Sequence, residues 1–259
     1  MIPLVDTHCH LLAGLDDGPR TPEEALEMCR MLSAEGVQLS AALAHQNDHY
    51  PDNSPQRIRE AAAQLTQRLS AEAIPLTVFP CAEVMVHPDL ETAWQEGQLQ
   101  SMGGHGQYLL LEMPHGLFVN LEDLVPRLRQ RGVGVILAHA ERCPEWLHEP
   151  GAIETLIGLG CLVQLSSAGV TDPRDGRAAR AVKDWLRRGV VHLLGTDAHS
   201  TRRRRPRMAE AYQQIVHWAG AAVADRVCST NGMAVLTGLP VRVPAPEPIR
   251  RSWFSRLWQ

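Results

Sequence analysis

The stretch Leu4-Val5-Asp6-Thr7-His8-Cys9-His10 decides the reading of the fold. A short apolar run leads at once into two histidines, spaced so that an extended chain turns both to one side. The same grammar recurs along the chain. His45 follows Ala41-Ala42-Leu43-Ala44, Glu83 follows Cys81-Ala82, and Glu112 closes Leu109-Leu110-Leu111. His139 follows Val135-Ile136-Leu137-Ala138, and Asp197-Ala198-His199 follows Leu193-Leu194-Gly195-Thr196. Asp17 sits in the loop after the first run. Apolar runs of this length, buried on both faces, are the mark of strands in a parallel sheet.

Seven strands are expected, over 3–8, 38–44, 75–82, 108–112, 134–138, 161–166 and 190–195. Helices are expected between most of them, over 22–35, 55–72, 121–131, 151–159, 176–188 and 208–219, with a last one over 221–236. Thr21-Pro22-Glu23-Glu24 marks the first helix start, with Thr21 as cap, Pro in the first turn and Glu three residues after the cap. Strands alternating with helices imply parallel pairing through crossovers. In a parallel barrel the C-terminal strand ends converge on one face, where active sites are built. Five histidines and four acids at or near the ends of six strands would share that face.

Such a set exceeds one tetrahedral site, so more than one ion is expected. Imidazole and carboxylate together suit Mn, Fe or Zn better than Mg or Ca. Two or three ions roughly 3.5–4 Å apart are the usual apparatus for phosphoester hydrolysis. A lone H-x-H is weak evidence, because a partly buried histidine hydrogen-bonds well without metal; the coincidence of nine groups carries the argument. His49, His87, His105, His115, His148, His192 and His217 lack that placement. His148 and His217 read as helix-surface residues, and His49 and His115 as structural residues near the mouth. Cys9, between the two histidines, should face away from the ions and pack in the core.

The remaining composition is ordinary. The chain has 259 residues, 44% hydrophobic and 21% charged, which suits one soluble α/β domain. Its net charge of −4 argues against a nucleic-acid binder held by phosphate contacts. No run approaches the roughly 18–20 apolar residues of a membrane span, so no stable membrane insertion is expected. Met1-Ile2-Pro3-Leu4-Val5-Asp6 has no basic segment and does not read as a signal peptide; a cytoplasmic protein is expected. Six scattered cysteines without a C-x-x-C pair fit reduced thiols. After Gly238 the composition changes, and Pro240, Pro244, Pro246 and Pro248 lead to an Arg- and Trp-containing tail. The expected division is therefore a barrel over 1–238 and a tail over 239–259. That tail is amphipathic in composition, but packing on the barrel or disorder is preferred over membrane or partner contact.

Beyond these spacings lies a family resemblance. Asp6-Thr-His8-Cys-His10, Leu15-Asp16-Asp17-Gly18-Pro19, Ala44-His45, Ala82-Glu83, Leu111-Glu112, Ala138-His139-Ala-Glu141-Arg142 and Thr196-Asp197-Ala-His199 resemble the PHP (polymerase and histidinol phosphatase) superfamily. The D-D-G-P and H-x-E-R segments, with Pro206-Arg207-Met208-Ala209-Glu210-Ala211-Tyr212, narrow this to the bacterial PHP-type protein-tyrosine phosphatases of capsule and exopolysaccharide loci. The resemblance spans roughly residues 1–238. It implies a distorted (β/α)7 TIM-like barrel with a trinuclear, usually manganese, centre. Carried over by position, it implies that His8, His10, Glu83 and Asp197 hold one ion. Glu83, Glu112 and His139 would hold a second, and Asp17, His45 and His199 the third. Arg142 and one arginine of the run 202–205, with Arg204 favoured, would grip the phosphate. His199 is also a candidate proton donor to the leaving group. Either Asp16 or Asp17 can supply the loop ligand; the spacing from His10 favours Asp17.

The chain departs from the family pattern at Leu43-Ala44, where Thr-Pro is frequent, and at Asn231-Gly232, where Asn-Pro is frequent. Neither position supplies a ligand. The C-x5-R loop of cysteine phosphatases is missing, since Cys143 follows Arg142. The resemblance implies a phosphotyrosine-protein phosphatase whose partner is a bacterial tyrosine autokinase in polysaccharide assembly and export. Two rivals stand beside it: a small-molecule phosphatase such as one for histidinol phosphate, and a non-catalytic metal-bound scaffold. The D-D-G-P and P-R-M-A-E-A-Y segments argue against the first. The completeness of the nine positions and Arg142 argues against the second. Nothing in the sequence specifies the oligomeric state.

Overall fold

The computed structural model describes residues 2–241 and Pro246. Seven parallel strands run in sequence order around a barrel: β1 (Leu4–Asp6), β2 (Val37–Gln46), β3 (Thr77–Met85), β4 (Tyr108–Glu112), β5 (Gly134–Leu137), β6 (Leu162–Ser166) and β7 (Leu193–Gly195). The ring is closed by the chain just past β1. Thr7 N donates to Leu194 O at 3.3 Å and His10 N to Ala198 O at 3.0 Å, while Leu43 N donates to Cys9 O at 2.9 Å on the other side. The expected α/β barrel of seven strands is the fold observed.

The helices are α1 (Pro22–Ala34), α2 (Pro55–Ala71), α3 (Leu90–Gln95), α4 (Leu124–Gln130), α5 (Pro144–His148), α6 (Pro150–Gly158), α7 (Ser167–Thr171), α8 (Gly176–Arg188), α9 (Met208–Ala219), α10 (Ala221–Asp225) and α11 (Asn231–Leu236). Thr21 caps α1 through Glu24 N, and Ser54 and Asp175 cap α2 and α8 in the same way. The expected last helix is α10 and α11 joined by the π-helical turn Arg226–Thr230. The short helices α3, α5 and α7 were not expected, because five or six residues carry little helical periodicity. No helix among the described residues is long and apolar enough to cross a membrane.

Alternation along the strands separates two cores. Ala42, Ala44, Ala82, Val84, Leu109, Leu111, Val135, Leu137, Val163 and Leu165 face outward to the helices. Val5, Ala41, Leu43, Cys81, Leu110, Ile136, Ala138, Leu162 and Leu193 fill the barrel interior. Met102 and the α11 residues Val235 and Leu236 join this inner cluster, which also packs against Leu39, Phe79 and Tyr108 near the strand starts. The N-terminal end of the barrel is therefore plugged with apolar side chains.

One strand-end expectation is corrected here. His45 and Glu83 do not follow β2 and β3 but lie inside them, because those strands extend to Gln46 and Met85. The consequence is direct. His45 continues the inward column Ala41, Leu43, and Glu83 continues the column from Cys81.

Candidate metal centre

The nine side chains gather at the C-terminal mouth of the barrel. They form four overlapping groups of donor atoms: His10, Asp17, His45 and His199; His8, His10 and Asp197; His8, Glu83 and His139; and His45, Glu83 and Glu112. Glu83 sits at the middle. Its Oε2 lies 3.2 Å from His8 Nε2, 3.4 Å from His10 Nε2 and 3.3 Å from His45 Nδ1, and its Oε1 lies 2.8 Å from His139 Nε2. Asp197 Oδ1 is 3.4 Å from His8 Nε2, and Asp17 Oδ1 is 3.4 Å and 3.3 Å from the Nε2 atoms of His45 and His199. The groups overlap more than the partition implied by the resemblance: His10 also lies with Asp17, His45 and His199, His8 with Glu83 and His139, and His45 with Glu83 and Glu112.

Local backbone aims several of these groups. His8 and His10 share a side and Cys9 packs in the outer core. Val5 faces the interior while Cys9 faces outward, so the alternation slips by one residue between them. Gly195 lets the chain pass close: a Cβ there would collide with His8 Cβ. Two of the three non-glycine residues with positive φ among the described residues are His139 (φ 29°) and Asp197 (φ 53°). Such conformations persist where surrounding structure imposes them, and they cluster at functional sites. At His139 the turn brings inward a side chain that alternation from Ile136 and Ala138 would send outward.

Residues outside the nine hold the site in place. Gln164 Oε1 lies 2.7 Å from His8 Nδ1, and Asp16 Oδ2 lies 2.7 Å from His10 Nδ1. These acceptors place protons on both Nδ1 atoms, so the Nε2 atoms present lone pairs. Those two Nε2 atoms face each other at 3.4 Å. Asp16 also accepts from Gly18 N and His45 N, so its carboxylate is engaged beside the cluster while Asp17 lies within it. Asp6 ties β1 to the loop after β7, accepting from His8 N at 3.0 Å, Thr196 N at 2.8 Å and Thr196 Oγ1 at 2.6 Å. Burial raises its pKa to about 6 against those hydrogen bonds. The signal for Gln164 was a single amide inside the apolar run Leu162–Leu165.

The donor set fits divalent cations. Lone pairs of two imidazoles pointing at each other need a cation between them or a proton on one. Buried Glu112 Oε2 and His45 Nδ1 have no hydrogen-bond partner, although 3.7 Å apart. Burial alone would raise the Glu83 pKa, but His8 and His139 hold it well below the usual carboxylate range. Burial likewise opposes charge on His139, yet Glu83 and Glu112 push its pKa up to about 10. His10 is raised against burial by Asp16 and Glu83. His199 is lowered by burial and by His10. Clustered carboxylates at 1–4% exposure need positive charge, which metal ions supply with better geometry than extra protons.

Two arginines overhang the cluster. Arg142 Nη2 and Arg204 Nη2 both donate to Asp197 Oδ2, the latter at 2.5 Å. Arg204 is fixed by its backbone, since its carbonyl accepts from His199 N at 2.9 Å and Ser200 N at 3.2 Å. Both guanidinium side chains remain 43–44% exposed, open to a ligand at the mouth. Pro206–Tyr212 has a structural role: Ala209 N binds Glu35 Oε2 and the Tyr212 hydroxyl donates to Asp225 Oδ1 at 2.8 Å. Of the other histidines, His148 and His217 are exposed on helices, as expected. His49, His87, His105 and His115 are also exposed, and His192 is buried away from the mouth.

With this geometry in view, similarity to known proteins is decisive. The family model described as "Capsular polysaccharide synthesis, CpsB/CapC" matches residues 4–237. The chain belongs to the CpsB/CapC family. Among curated relatives of this CpsB/CapC protein is tyrosine-protein phosphatase YwqE of Bacillus subtilis (strain 168), 28% identical and covering 96% of this chain and 97% of the relative. Another is tyrosine-protein phosphatase CpsB of Streptococcus pneumoniae, 23% identical over 90% of this chain and 98% of the relative. The fold superposes with a TM-score of 0.88 on a structure from work on YwqE and CpsB as "unique metal-dependent tyrosine phosphatases". That match is 27% identical and covers 96% of this chain and 100% of the other.

Proposed function

We propose that this CpsB/CapC protein is a metal-dependent tyrosine-protein phosphatase, a phosphoric monoester hydrolase that uses manganese and acts on a bacterial tyrosine autokinase controlling capsule or exopolysaccharide synthesis. The observation that carries the hydrolase reading is the convergence of nine imidazole and carboxylate groups beneath two half-exposed arginines. Similarity to metal-dependent tyrosine phosphatases over nearly the whole chain supports the substrate class.

His8, His10, Asp17, His45, Glu83, Glu112, His139, Asp197 and His199 are assigned as ligands, with Glu83 shared. When bound, divalent ions supply a water of lowered pKa and neutralise phosphoryl oxygens. The chain's own groups do the rest. Gln164 and Asp16 fix the tautomers of His8 and His10. Arg142 and Arg204 present forked donors that match phosphate oxygens and stabilise charge as it develops there. His199 serves as a ligand; protonating the leaving group would need an imidazolium, and its lowered pKa favours the neutral ring. A phenolate, with pKa about 10, leaves without a strong acid. Residues 1–238 form the catalytic unit. The tail over 239–259 lies almost entirely outside the described residues. All six cysteines are free thiols, as a cytoplasmic setting favours.

The test is turnover by manganese-loaded protein on a phosphotyrosine peptide, beside a phosphoserine peptide and histidinol phosphate. Selective phosphotyrosine hydrolysis, lost on chelation, is expected. Preference for histidinol phosphate would replace the substrate class while keeping the metal chemistry. Metal binding without turnover on any substrate would make the protein a scaffold.

A further inference from the structure

Two cavities flank Arg142, and only one of them also borders the metal cluster. We infer that the cavity between the loops after β4 and β5 seats the aromatic ring of the phosphotyrosine substrate. This inference rests on the phosphatase reading above and names the part of the site that selects an aryl ester.

The cavity measures about 280 Å³. Glu112, His139 and Arg142 form the wall it shares with the metal centre, and Pro114, Leu117, Pro144 and Trp146 form apolar walls. A cavity of roughly 150 Å³ with apolar walls is enough to hold benzene. Trp146 is fully buried, so its ring is fixed in place. Phe118 buttresses it from the rim, edge to face, with centroids 6.2 Å apart and planes at 81°. Leu117 is 62% exposed and Phe118 39%, adjacent apolar side chains held at the lip of a site otherwise made of charge. The other large exposed apolar groups among the described residues, Met233 and Leu239, lie in and after α11 at the plugged end. A phosphate held by Arg142 would have its ester substituent at the mouth of this cavity.

The second cavity, about 270 Å³, has Glu141, Arg142, Asp172 and Arg174 in its wall together with Ala168, Pro173 and Ala178. Glu141 Oε1 accepts from Ser166, but its buried Oε2 has no hydrogen-bond partner. This second cavity has no aromatic side chain and none of the nine clustered residues in its lining, whereas the first has Trp146 together with Glu112 and His139.

Calorimetric titration of the manganese-loaded protein with phenylphosphonate and methylphosphonate tests this assignment. Wild-type protein should bind the phenyl compound about tenfold more tightly, as burial of some 55 Å² of apolar surface implies. Leu117→Ala and Phe118→Ala, both at exposed positions, should each remove several-fold of that preference and leave methylphosphonate binding unchanged. Arg174→Ala, in the second cavity, should leave both affinities unchanged. Equal binding of the two probes by wild type, retention of the preference in both lip variants, or its loss in Arg174→Ala overturns the inference. Turnover of a phosphotyrosine peptide by the same wild-type preparation separates the failures. No turnover refutes the phosphatase reading, whereas turnover without an effect of the lip variants refutes only the ring's location.

Discussion

The two ends of this barrel are made by the same strands and have opposite chemistry. On β2, Ala41 and Leu43 fill the interior and His45, two residues on, enters the metal cluster. On β3 and β4 the step is from Cys81 to Glu83 and from Leu110 to Glu112. One side-chain layer thus separates an apolar plug from a dense set of charges. Inward-facing position alone does not decide polarity; height along the strand does. The plug supplies burial energy and asks nothing of a ligand. The mouth holds unpartnered donors and three buried carboxylates, an arrangement that favours function over stability.

The sharpest division between the ends is expected at Glu83. Glu83→Ala removes the carboxylate common to two donor groups. Losing a partner that merely orients a ligand costs about 10–100-fold, so loss of this shared ligand should lower turnover by more than about 100-fold. Metal binding should fall with it, read by calorimetry, while circular dichroism of the protein stays that of the barrel. Wild-type turnover in this variant would break the claim that the mouth is the metal centre.

Leu110→Ala makes the reciprocal test one layer below Glu112. Leu110 is fully buried in the inner cluster. Truncation there should cost about 2–5 kcal/mol, lowering the thermal midpoint by about 5–15 °C for a chain of this size. The loss should be the same in chelated and metal-loaded protein, since the plug does not sense the ions. Below its new melting temperature the variant should keep most of its kcat. A midpoint loss confined to the metal-loaded form would show that the two layers are coupled.

How much of this contrast was legible in sequence follows from its chemistry. Apart from Asp17, each candidate ligand ends or nearly ends an apolar run, so the strand-to-mouth transition is written as a change of residue type at one point. The positions of His45 and Glu83 inside longer strands were not visible, because polar Gln46 ends one apolar run and the charge of Glu83 divides the other from Val84–Met85. Asp16 and Gln164 act through hydrogen bonds to His10 and His8, six and 156 residues away. Only the folded backbone sets such distances. Arg204 was singled out by resemblance, yet among four consecutive arginines its contact with Asp197 depends on the turn that joins its carbonyl to His199 N. Leu117 and Phe118 fall between the expected strand over 108–112 and the expected helix over 121–131, and a small exposed apolar pair acquires meaning only beside Arg142.

The smallest expected effect concerns His192, a buried histidine that belongs to neither the metal cluster nor the apolar plug. Its Nδ1 accepts from Val163 N at 3.0 Å, so the ring is held neutral with a proton on Nε2. Burial, with the nearby Arg226, lowers its pKa to about 4. The unfolded chain has an ordinary histidine of pKa about 6.5 and therefore binds more protons than the folded chain between those two values. His192 contributes its full stability above pH 6.5 and loses it as pH falls toward 4. Between pH 7 and pH 5.5 the loss is about 1 kcal/mol. His192→Asn keeps an acceptor for Val163 N and removes the titration. In chelated protein, its urea midpoint should fall less over that interval than the wild-type midpoint by the equivalent of that loss. Parallel pH profiles for the two proteins would mean that His192 does not titrate differently on folding. The acid sensitivity of the barrel would then originate at its metal-binding mouth, where protons and metal ions compete for the same imidazoles.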